Sequence, residues 1–179
     1  MAKSSVKQIE QDKKRILNEL TKNANLSANE IADKLGFSRQ KVWRIIKNLE
    51  EDKTIWGYTV IIDDNKMGRK RFNILLKKAP IKLTDEKLNI VINRGLRKIA
   101  TKNGVYLEST YFFNGSYDGQ ICVIAEDIIQ VKKFIDDMVK KLGPDYFKEI
   151  EILEVLIPIQ MRSFDNPNLK QLKEYFSLD

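Results

Sequence analysis

The segment LSANEIADKLGFS, residues 26 to 38, leaves the backbone around it few options. Ser27 and Glu30 make an S-x-x-E capping box, in which each side chain satisfies an amide of the other's turn. The helix they start presents Ile31, Ala32 and Leu35 on one face, with Ala28 one turn earlier. Gly36 stands where that helix must end, since a residue without Cβ enters the left-handed region cheaply. Ser38 is placed to cap a further helix whose apolar stripe, Val42, Ile45, Ile46 and Leu49, repeats at i, i+3, i+4, i+7. Upstream, Ile16, Leu17 and Leu20 mark one face of an earlier helix. Three short helices with a tight glycine turn between the last two read as a helix-turn-helix. TIWGYTVIID, residues 54 to 63, is rich in β-formers and reads as a strand or wing, which makes residues 1–66 a winged helix-turn-helix domain.

The start of the third helix poses an electrostatic question. A helix N-terminus carries partial positive charge and favours acids, yet here Arg39, Gln40 and Lys41 occupy the first turn. Arg44 and Lys47 continue the cationic face. Such a front calls for an external polyanion. In this fold it enters the major groove of duplex DNA, where Arg and Lys pair with guanine and Gln with adenine, or hold phosphates. Arg39, Gln40, Lys41, Arg44 and Lys47 are the candidate DNA contacts, while Trp43 reads as flanking the buried stripe at the core edge. Glu50, Glu51 and Asp52 at the far end would repel a phosphate backbone, so DNA should meet the front of the helix.

Composition narrows the alternatives. Lys plus Arg total 32 against 25 Asp plus Glu, a formal net charge of +7. Histidine is absent and Cys122 is the one cysteine, so zinc ligand sets and histidine-based catalysis are missing; no catalytic residue, metal or cofactor is expected. The N-terminus lacks a secretory signal, and no run approaches the roughly 20 apolar residues of a membrane span. The expectation is a soluble, cytoplasmic protein.

LSANEIADKLGFSRQKVWRIIKNLEEDKTIWGYTVIID resembles the leucine-responsive regulatory protein (Lrp/AsnC) family of transcription regulators. The resemblance rests on Ser27 with Glu30, Leu35-Gly36 followed by Ser38, Val42, Leu49-Glu50, and Ile55-x-Gly57-Tyr58 before an apolar strand. The chain departs from the pattern at Ile45, where the family often has Arg, and at Lys53, where it often has Gly. The resemblance implies a second domain of β-α-β-β-α-β order that senses small ligands, an amino acid or similar effector.

The downstream sequence reads in that order. NKMGRKR is a basic connector, with the linker at 67–71 and Arg69, Lys70 and Arg71 available to phosphates. RFNILLKKAP is a strand stopped by Pro80, and one helix is expected from Thr84 or Asp85 to Gly104. VYLESTYFFNG and GQICVIAED are strands joined through the hairpin signal NGSYDG. A helix over residues 129 to 143 and a last strand, KEIEILEVLIPIQM, complete an α+β, ferredoxin-like domain at 72–162. Apolar residues on both parities, such as Tyr111 with Phe112 and Phe113, predict a sheet face covered in a homodimer or higher oligomer. The family's G-x-[YF]-D turn matches Gly115, Tyr117 and Asp118, which the resemblance makes candidate effector contacts; a tight hairpin needs the same residues for its backbone alone. Residues 163–179 are expected as a helical extension, with Asn166 as cap and Pro167 in the first turn.

The leading expectation is a sequence-specific DNA-binding transcription regulator. Two alternatives are an Lrp-like enzyme of the tetrapyrrole decarboxylase type, which a chain without histidine fits poorly, and a sensor partner that binds no DNA itself.

Overall fold

The structure, a computed structural model, describes residues 6–82 and 84–176. The chain divides into two compact units, Met1–Ile61 and Ile62–Asp179. The first holds three helices, α1 (Val6–Lys22), α2 (Ala28–Leu35) and α3 (Arg39–Glu51). The local signals form as the sequence dictates. Ser27 Oγ accepts from the Glu30 amide at 3.2 Å while the Glu30 carboxylate accepts from the Ser27 amide at 2.7 Å. Gly36 takes φ 68°, ends α2 and turns the chain toward α3. Ile16, Leu20, Ile31, Ala32, Val42, Ile45 and Leu49 form the buried core. Full burial of each large aliphatic contributes about 1.5–3 kcal/mol, which holds three short helices that would be marginal alone.

After α3 the structure departs from the sequence reading. Residues 54–63, expected as a strand or wing, form no strand. The β-formers are there, but a ladder needs a second strand and the described residues of this unit supply none, so Trp56 and Val60 are 92% and 79% exposed. The segment is tied down at both ends, where Asp63 accepts from the Asn65 amide at 3.1 Å and residues 55 and 58 bond back to α3. The Ile55 amide donates to Leu49 O at 2.8 Å, and the Tyr58 hydroxyl donates to Glu50 Oε1 at 2.8 Å. Burial, then the Glu50 carboxylate, push the Tyr58 phenol up to about 12.

The second unit contains β1 (Lys70–Lys78), α4 (Asp85–Ile92), α5 (Gly95–Lys102), β2 (Tyr106–Phe112), β3 (Gly119–Ala125), α6 (Ile128–Leu142) and β4 (Phe147–Val155). The strands form one antiparallel sheet in the order β2-β3-β1-β4, the ferredoxin-like arrangement. Phe72, Ile74, Ile121, Val123 and Ala125 turn one sheet face toward Leu96, Ala100, Val131, Phe134 and Met138 of the helices.

Three expectations for this unit change. The single helix predicted over 84–104 is two, because Arg94 adopts φ 60° and breaks the ladder. A Cβ on Gly95 would lie 2.6 Å from Ile90 Cγ2 and 2.7 Å from Ile90 O, so the absent side chain lets the halves close up. The last strand ends at Val155, and residues 160–165 instead make a small hairpin of β5 (Gln160–Met161) and β6 (Phe164–Asp165). Asn166 does not cap the terminal helix. Its Oδ1 accepts from the Asn168 amide and its Nδ2 donates to Pro158 O, both at 2.8 Å, so α7 (Gln171–Phe176) begins later. The end of the predicted extension, 177–179, lies outside the described residues.

The open sheet face is less apolar than its sequence suggested. Register sets Asn73 beside Cys122 and Leu153. Gln120 Nε2 donates to Asn73 Oδ1 at 3.0 Å and the Cys122 thiol donates to the same oxygen at 3.1 Å. A polar patch thus sits between exposed Tyr111 and Leu153.

Candidate nucleic-acid interface

The rotation of α3 is fixed by what it buries. Ser38 Oγ accepts from the Lys41 amide at 3.3 Å and starts the helix, while Val42, Ile45 and Leu49 face the core. At 3.6 residues per turn the opposite face then carries Gln40, Trp43, Arg44 and Lys47, again an i, i+3, i+4, i+7 stripe. All four are exposed, as is Arg39 at the first position. Among the described residues, Arg39, Arg44 and Lys47 have no carboxylate within ion-pair range. Their charge is directed at solvent.

Lys41 stands apart from the other candidates. Its ammonium lies 2.6 Å from Asp12 Oδ2 on α1 and 4.0 Å from the Phe37 ring centroid. Asp12 is 1% exposed, and Gln8 Nε2 donates to its other oxygen at 3.1 Å. The bond to Lys41 holds the Asp12 carboxyl below the usual range; burial opposes it, and Gln8 and the charges of Lys41 and Arg15 assist. Arg15 completes the arrangement, with its guanidinium 4.8 Å from the Phe37 ring and Nη2 donating to Leu35 O at 3.1 Å. The cation in the first turn of α3 thus has an internal counter-charge and fastens α3 to α1.

Sequence reasoning passed over Asp12, although a signal existed. Asp12, Ile16 and Leu20 recur at i, i+4, i+8, so an acid interrupts the inward stripe of α1. An acid at an inward position demands a buried partner. Trp43 was also misplaced. It is 58% exposed, lies outside the core, and has the Lys47 ammonium 5.1 Å from its ring. The far end of α3 bears Glu50, engaged by Tyr58, and exposed Glu51.

The connector cations fall in the second unit and are largely taken. Lys70 Nζ lies 2.7 Å from Glu154. Arg71 bridges Asp64, at 2.7 Å, and Glu108.

The effector candidates separate. The Tyr117 hydroxyl donates to Glu151 Oε2 at 2.5 Å, and that carboxylate, ahead of burial, raises its pKa. Asp118 accepts from the Lys78 amide at 2.9 Å while its own amide donates to Leu76 O at 2.9 Å, so it secures the hairpin to the end of β1. Asp118 also lines an apolar cavity of about 50 Å³ with Leu96, Ile121, Met138 and Tyr146; Gly115 and Tyr117 do not. Among the described residues no cluster of potential metal ligands occurs.

Residues 13–55 match the family model of winged helix-turn-helix DNA-binding domains. The chain is 26% identical over 129 residues to the proline dehydrogenase transcriptional activator of Rhodobacter capsulatus, covering 72% of this chain and 79% of that one. It is 43% identical over 60 residues to the HTH-type transcriptional regulator LrpA of Pyrococcus horikoshii, which covers 34% of this chain and 43% of that one. The crystal structure of an AsnC family transcriptional regulator from Agrobacterium tumefaciens shares the fold, with TM-score 0.60 at 20% identity over 89% of this chain and 97% of the other.

Proposed function

We propose that the chain is a transcription regulator of the Lrp/AsnC type that grips duplex DNA through the exposed stripe of α3. The observation that carries this reading is that Arg39, Arg44 and Lys47 have no carboxylate partner among the described residues, on a helix capped by Ser38 and clamped through Lys41. Gln40 and Arg44 are the residues suited to base edges, with Arg39 and Lys47 toward phosphates. Lys41 acts indirectly, by holding α3 against Asp12.

A homodimer or larger assembly through the open sheet face would cover Tyr111 and Leu153 and double the number of DNA-reading helices. The family reading adds a small amino-acid-like effector in the second unit. Asp118, at the wall of the apolar cavity, is the one effector candidate that borders it, and its carboxylate is held by Lys78. We assign no catalytic role, and the setting is the cytoplasm, where the DNA is; no helix among the described residues is long and apolar enough to cross a membrane.

The test is salt-dependent binding of the full chain to a fluorescent duplex. Each phosphate neutralised steepens the slope of log affinity against log salt by about 0.9. Replacing Arg39, Arg44 and Lys47 together by Ala should flatten the slope by roughly 2 to 3. An unchanged slope would sink the assignment.

A further inference from the structure

We propose that Trp43 is a specificity-determining residue, reading a thymine through its 5-methyl group in the major groove; the proposal rests on the DNA-binding reading of α3. A tryptophan packed at a core edge would be largely shielded, but this one is 58% exposed. It occupies the middle of the outward stripe. Arg39 and Gln40 lie one turn before it and Lys47 one turn after. The Lys47 ammonium lies 5.1 Å from the ring centroid, a cation–π contact that restrains the indole.

Chemistry selects the occupant. A broad apolar ring among cations that have no carboxylate partner among the described residues matches a surface that is anionic at its rims and offers an apolar feature on its floor. The major groove is such a surface: phosphates flank it, and the thymine methyl is the apolar group displayed there. A protein partner with an apolar patch would instead have to bury Arg39, Arg44 and Lys47 beside Trp43 without counter-charges, which is costly. The arginines and Gln40 can pair with guanine or adenine but have no means of preferring thymine over uracil. Trp43 supplies that discrimination.

The experiment enriches duplexes from a random-sequence library with the full-length wild-type chain, then replaces each thymine in turn by deoxyuridine, which lacks only the methyl. Affinities are measured for wild type, Trp43→Ala and Trp43→Phe, with circular dichroism and sedimentation to confirm fold and assembly. Wild type should lose about fourfold at one thymine in each half-site, the worth of one buried methyl group. Trp43→Phe should keep that sensitivity and Trp43→Ala should lose it. Should Trp43→Ala fail to fold, Trp43→Gln replaces it. A wild-type chain that binds but shows no such thymine, or a Trp43→Ala chain with an unaltered deoxyuridine profile, overturns the inference alone. Changed sedimentation with unchanged DNA binding does so too, and marks Trp43 as an interface between copies. Failure of the wild type to enrich any duplex overturns the DNA-binding reading itself.

Discussion

On β1, Lys70 faces Glu154, Arg71 faces Asp64 and Glu108, Lys77 faces Glu149 and Lys78 faces Asp118. On α3, Arg39, Arg44 and Lys47 face nothing of opposite sign among the described residues, and Lys41 alone is paired. Both stretches are dense in cations, so composition cannot tell them apart. What differs is how much of their charge the fold has already neutralised. A cation held by a carboxylate organises the chain; one left open is available to a ligand. Net charge of +7 therefore overstates the basic surface near β1 and describes α3 well.

The largest effect that would sharpen this contrast is on stability. Lys41→Ala strands the buried Asp12 carboxylate and should cost about 3 kcal/mol of the first unit's stability in a urea titration. A loss below about 0.5 kcal/mol would show that Lys41 belongs with the free cations. Next comes Arg44→Ala, which should weaken binding to an enriched duplex by about 1–3 kcal/mol if Arg44 pairs with guanine. Its urea midpoint should stay put, and equal loss on all sequences would make Arg44 a phosphate contact only. Acid gives a smaller effect. The folded-state pKa of Asp12 is lowered, so its stabilising contribution is complete above the ordinary aspartate pKa of about 4 and disappears as pH falls through the lower folded value. Asp12→Asn should flatten this acid limb, which urea titrations below about pH 4 would detect. Smallest is Lys77→Ala, a half-exposed pair at 4.0 Å, which should change stability by under about 0.5 kcal/mol.

Legibility in the sequence followed the range of the interactions. Ser27, Glu30, Gly36 and Ser38 act within a few residues of themselves, and the turns they specify are where the sequence placed them. The succession of strands and helices along the second unit followed from the alternation of hairpin and helix signals. Asp12 was missed because its partner is 29 positions away on another helix, and nothing local announces the pairing. Residues 54–63 have strand chemistry but pair with no strand among the described residues, so propensity pointed to an element that the isolated chain does not complete. The break at Arg94 is local but puts a non-glycine residue at φ 60°, a conformation its side chain does not announce. Trp43 was misjudged because a large aromatic beside an apolar stripe is usually interior, and only the rotation of α3 settles which side it takes.

Cys122, buried in β3, is the chain's one thiol, and both tryptophans, Trp43 and Trp56, lie in the first unit. The two halves therefore carry separate optical and chemical reporters without any engineering. Indole fluorescence follows the helical half, and the rate at which a thiol reagent labels Cys122 times the opening of the sheet. Recorded side by side, the two signals would tell whether the halves melt together or one at a time.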